Sequence, residues 1–143
     1  MGKKVILALL ELSVLLSACG KPVYLAYVDK VEPEIPGLGV KEYSAVIGAF
    51  EIINNTGQDL YLYNQQGEES IKIASTGGVF VRDDKGQWKK SDNSNWINVS
   101  GPPVSYEGPP PKKRGTVVNE WVVRGCVGDI PFAIHGRTVY EPW

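Results

Sequence analysis

Past residue 20 the chain holds no long run in which apolar residues recur every three or four positions, as a helix face requires. Proline and glycine break it up instead, ten and fourteen of them past residue 20, each a residue that stops a helix or turns a strand. Between the breaks lie short runs rich in β-branched and aromatic residues, at irregular spacings of roughly 8–15 residues. A chain written this way is predicted to be all-β: a single antiparallel β-sandwich or a small barrel.

The runs can be placed in order. Residues 20–42 read as a tether with a first strand available at "VYLAYV"; Pro22, Pro33, Pro36, Gly37 and Gly39 exclude a long helix there. "YSAVIGAFEII" (43–53) is predicted as a central strand, "NNTGQD" as a turn and "LYLY" (60–63) as its hairpin partner. "SIKIAS" (70–75) alternates, with Ile71 and Ile73 on one face. "GGVFVRD" (77–83) ends in the turn signal "DDKG", after which "QWKK" returns. "NWINVS" (95–100) alternates again. "RGTVVNEWVVRG" (114–125) reads as a kinked strand or a short helical turn at "NEWVV", and "IPFAIHGRTVYEPW" (130–143) as a closing hairpin turning at His135-Gly136.

The first twenty residues differ from the rest. Lys3 and Lys4 precede an apolar stretch from Val5 to Leu16, interrupted by Glu11 and followed by the small residues Ser17 and Ala18. Roughly twelve residues rising ~1.5 Å each span about 18 Å, short of the ~30 Å hydrocarbon core of a bilayer. An export signal fits better than a membrane span, although Glu11 is unusual in one.

Leu16-Ser17-Ala18-Cys19 resembles the lipobox of bacterial lipoproteins: a branched apolar residue, two small ones, then cysteine. The resemblance covers about twenty residues and implies residues 1–18 as a cleaved signal helix, with Cys19 carrying a diacylglyceryl thioether and usually an N-terminal acyl chain such as palmitate. It further implies attachment to the cell envelope. Gly20 after the cysteine points to the outer membrane, facing the periplasm or the surface, in a Gram-negative cell. The expected organisation is a signal at 1–18, a lipidated Cys19 and tether at 19–42, and a β-sandwich domain at 43–143. The strand–Asn54-Asn55-Thr56-Gly57–strand segment is similar to that of immunoglobulin-like sandwich domains in other small lipoproteins.

Cysteine arithmetic changes accordingly. A thioether at Cys19 cannot form a disulfide, which leaves Cys126, in "VVRGCVGDI", as a single thiol expected to be a small buried core residue.

Catalytic groups are scarce. His135 is the only histidine, no G-x-S-x-G elbow is present, and no ligand spacing supports a metal site. Asp83-Asp84 is a turn rather than a calcium loop, since Lys85 opposes the charge and further oxygen ligands are missing. Neither catalytic nor metal-ligating residues are expected, nor a cofactor. A formal net charge of −1 argues against a nucleic-acid partner.

Two features suit binding. "SGPPVSYEGPPPKKRG" (100–115) is an extended Pro-rich loop ending in Lys112, Lys113 and Arg114, a basic cluster suited to a partner protein or to anionic headgroups. Trp96, among the polar residues of "KKSDNSNW", suits stacking on a glycan. The sequence therefore predicts a lipid-anchored envelope protein acting as a non-enzymatic binding or structural module. An envelope inhibitor of a hydrolase acting through the Pro-rich loop, or a carbohydrate-binding module, are the alternatives.

Overall fold

The computed structural model describes residues 23–42 and 48–142. The signal, Cys19 and Trp143 lie outside the described residues, as does the start of the strand expected at 43–53. Within them the chain forms strands β1 (Tyr24–Glu32), β2 (Leu38–Glu42), β3 (Phe50–Asn54), β4 (Leu60–Tyr63) and β5 (Glu69–Ile73). The second half forms β6 (Val79–Arg82), β7 (Trp88–Asp92), β8 (Trp96–Val99), β9 (Val117–Val127) and β10 (Ile130–Tyr140). They build two antiparallel sheets, one of order β1-β10-β9-β4-β5-β6-β7 and a smaller one of order β2-β3-β8. The two pack as a sandwich; no barrel closes.

Alternation sets the inner faces. In β3 Phe50, Ile52 and Asn54 are buried, and in β9 Trp121, Val123, Gly125 and Val127 point the same way. In β10 Ile134, Gly136 and Thr138 continue that row. Phe50 of the small sheet stacks on Trp121 of the large one, ring centroids 5.2 Å apart. The Trp121 indole N–H donates to Thr138 Oγ1 at 3.1 Å, and the Thr138 hydroxyl donates to Val104 O at 2.5 Å. A fully buried threonine thus has both its roles satisfied.

Several expectations are corrected. The tether carries two strands: β1 pairs with β10 from Tyr24–Tyr140 to Glu32–Ala133, and β2 with β3. "NNTGQD" does not close a hairpin but crosses between sheets, because β3 pairs with β2 and β8 while β4 pairs with β5 and β9. Asn54 holds that crossover. Its amide donates to Gln58 O (2.7 Å) and Ile73 O (2.9 Å), and its Oδ1 accepts from the backbone and hydroxyl of Thr56. "NEWVV" is continuous strand with no helical turn; its only irregularity is a register shift opposite Thr138–Val139. The closing hairpin turns at Gly128-Asp129, not at His135-Gly136. Gly128, at φ +55°, supplies the positive φ that the first position of a two-residue loop takes. His135 and Gly136 sit in mid-strand.

Gly136 is there for a different reason. It lies opposite Trp121, and a Cβ on it would overlap both the indole and the backbone oxygen of Tyr27. Gly136→Ala is expected to destabilise the fold by about 3 kcal/mol, the upper part of the overpacking range. Gly39→Ala, whose Cβ would make ordinary contact with Ile53 at 3.6 Å, is expected to change stability by under ~1 kcal/mol. Urea unfolding of both variants checks the contrast.

Candidate functional site

β9 is eleven residues long and β4 is four. Their ladder joins only Leu60–Leu62 to Val127–Gly125. Beyond Gly125 the side of β9 away from β10 has no strand beside it among the described residues. A groove of about 500 Å³ opens at that point. Leu62, Ile71 and Val123 form its apolar floor, and Val99, Ser100, Pro102 and Pro103, where β8 runs into the Pro-rich loop, form the opposite wall. Tyr63, Asn64, Gln65 and Ser70 make a polar rim. Arg124 is its one charged lining residue, and among the described residues it makes no ion pair.

The far wall is rigid because the loop behind it is clamped. Val104 is fully buried and its carbonyl is held by Thr138, while the Asn119 amide donates to Pro103 O. Backbone bonds from Val104 and Ser105 to Gly101 O close the turn. Further on, Tyr106 packs on Tyr24 with centroids 5.2 Å apart and donates to Pro109 O. Apart from Pro102, the exposed part of the loop therefore begins at Glu107.

The residues singled out from sequence fall in separate places. Trp96 is half-buried on the outer face of the small sheet, in a row with Ile53 and Gly39. Lys112 and Lys113 are exposed beside the end of the large sheet where Gly115 N–H donates to Tyr140 O. Arg114 faces Glu141 at 3.4 Å and donates to Pro142 O, so its charge is engaged within the fold. Trp96 thus belongs to the small sheet and the basic cluster to a loop beside the large one.

His135 lies on the outer face of β10, its Nε2 3.8 Å from Glu32. Lys30, hydrogen-bonded to Glu32 at 2.8 Å, holds that carboxyl below its ordinary pKa, with a smaller contribution from His135. His135 stands opposite Val122, so Cys126, four residues further along β9, is roughly 13 Å away. Histidine and thiol are not a pair. Asp83 Oδ1 is used by the backbone N–H groups of Lys85 (2.9 Å) and Gln87 (2.8 Å), as a turn residue's would be. Among the described residues no group of three or more side chains is arranged to hold a metal.

Cys126 is not the core residue its apolar neighbours suggest. As an alternate residue to Gly125 and Val127 it points to the outer face and is half-buried. There the Tyr63 hydroxyl donates to its sulfur at 3.2 Å. That bond needs the neutral phenol and, with burial, pushes the Tyr63 pKa up to about 12.

The groove was missed in the sequence because it arises from unequal strand lengths across a pairing that the sequence does not display. Its only local signal is the long unbroken "VVNEWVVRGCV", too long for the short runs it must pair with.

Because the Tyr63 pKa is raised in the folded state, the neutral phenol contributes stability below pH 10, and this is lost as pH rises from 10 through 12. Thermal unfolding of Tyr63→Phe is expected to lack that component of the alkaline decline, and the wild type's absorbance titration to lose a late-ionising component in the same variant, the raised Tyr24 remaining in both. No family model matches the chain, and no curated protein or solved structure matches it either.

Proposed function

We propose that the chain is a lipid-anchored, non-enzymatic binding module of a bacterial cell envelope, held at the membrane through Cys19. The observation that carries the binding role is the groove beside β9: an apolar floor, a rigid proline wall and a single charged residue at the rim. Such a concave, preformed site suits a ligand better than it suits chemistry, since it holds no histidine, carboxylate or thiol. The lipobox resemblance at Leu16–Cys19 supports the anchor. One acyl chain would hold the chain only transiently, whereas two or three, at ~0.8 kcal/mol per buried CH₂, give stable attachment.

The fold is compatible with that attachment in a particular orientation. Only residues 20–22 separate Cys19 from Val23, whose carbonyl accepts from Glu141 N–H. The chain reaches at most ~3.5 Å per residue, so β1, starting at Tyr24, would begin within about 18 Å of the anchor. Tyr24 pairs with Tyr140, and the exposed Lys112 and Lys113 stand at that same end. Two basic side chains facing an anionic membrane surface would add on the order of 1 kcal/mol each.

Expression of the wild-type chain in a bacterium is expected to yield a membrane-fraction protein whose N-terminal peptide begins at an acylated Cys19 by mass spectrometry. Cys19→Ser is expected to lose acylation and leave the detergent-dependent fraction after signal cleavage or accumulate uncleaved. An unacylated wild-type protein retaining Met1 in the membranes overturns the anchor.

A further inference from the structure

The groove has a property that selects among ligands: one of its walls is a strand edge. Backbone groups alternate along a strand between its two neighbours. Gly128 N–H donates to Asp59 O, on the β4 side of β9. The backbone groups of Val122 and Glu120, an even number of residues back along the same strand, face that side too. The β4 ladder has ended by then, at Leu62–Gly125, and no backbone bond outside the ladders involves Val122 or Glu120 among the described residues. The open side of β9 is therefore a slot in the interior of a sheet, in line with β4, with side-chain sites on the groove floor below it.

The two outer edges of the large sheet are closed to such pairing. On β1 the Val28 N–H is taken by the Glu42 carboxylate at 3.0 Å, and the ladder to β10 is bulged between Val28 and Lys30. On β7 the residues Lys89 to Asp92 are all exposed and three of the four are charged. Carboxylate caps, bulges and lysines are the usual means of keeping strand edges from recruiting other chains. The open side of β9 carries none of them at Val122; the register shift in β9 lies beyond Glu120, between Asn119 and Val117.

We infer that this slot takes an extended segment of another polypeptide, which adds as a strand beside β9 in continuation of β4. This deepens the proposed binding role and rests on it. Backbone pairing supplies the attachment, and alternate side chains enter the floor formed by Leu62, Ile71 and Val123. Arg124 at the rim, with no carboxylate near it in the lining, favours a partner segment carrying an acidic residue or its own C-terminal carboxylate. A helix cannot satisfy a strand edge, and a proline in the middle of the segment removes the donor that the pairing needs.

The test is a display selection of random twelve-residue peptides on the purified full-length protein in detergent. Hydrogen exchange with an enriched peptide follows. Enriched sequences are expected to alternate apolar and polar residues, to lack central proline and to carry an acidic residue. Binding is expected to slow exchange of the Val122 and Glu120 amides at least tenfold and to leave Cys126, already paired with Tyr61, unchanged. Ser70→Trp, which fills the rim, is expected to abolish binding. Arg124→Glu is expected to weaken acidic peptides about tenfold and neutral analogues little, so that a folding defect in the first variant does not decide the matter. Enrichment of helical or Pro-rich peptides, protection that maps to β8 instead, or the same protection arising from self-association without peptide would each overturn strand addition while leaving a binding module standing. A selection that enriches no peptide counts against both.

Discussion

The sandwich depends on one buried contact set. Trp121 stacks on Phe50 across the two sheets, its indole N–H bonds to Thr138, and the Thr138 hydroxyl bonds to the carbonyl of Val104. Four segments meet there: β9, β10, β3 and the Pro-rich loop. The aromatic pair supplies apolar area and the hydroxyl relays between two groups that would otherwise be buried without partners, at a cost of about 1–3 kcal/mol each. Space for the indole exists only because position 136 has no side chain. Packing, hydrogen bonding and the choice of glycine are here one requirement.

From that point outward the two sheets are mismatched. Seven strands face three, so the inner face of the large sheet is covered over β9 and β10 and progressively bared toward β6. Val79 and Ile73 remain fully buried, Ile71 is partly so, and Val81 is 38% exposed. The groove lies along the boundary between the covered and the bared regions, where the small sheet ends and the clamped turn at Gly101–Val104 takes over. It is a product of the architecture rather than a local irregularity, and its walls are fixed by the same Thr138 and Asn119 bonds that order the core.

How much of this was legible varies by residue. Alternation in "SIKIAS" and "NWINVS" gave β5 and β8 as strands, with Ile71 and Ile73 on one face of β5, because a period of two is a local property. The turn at "DDKG" was equally plain, since Asp83 makes its bonds within four residues. What failed involved partners far away in sequence. "IHGR" looks like a turn, but Gly136 answers to an indole on another strand. "NNTG" looks like a hairpin loop, but Asn54 is committed to Ile73 and the chain changes sheets. Cys126 has apolar neighbours yet faces outward, because its neighbours in sequence are not its neighbours on the face. Arg114 reads as part of a basic cluster and is engaged by Glu141. The groove is the extreme case, since its defining feature is a length difference between two strands.

The strands at the ends of the chain are direct neighbours: residue 24 pairs with residue 140, and the ladder between β1 and β10 runs to Glu32–Ala133. Closing a loop that includes nearly the whole described chain is entropically slow, and such non-local pairing sets the pace of folding in β proteins. Until β10 is in place, β1 has no partner in the large sheet among the described residues. The large sheet therefore gains its outermost strand only through its most distant pairing.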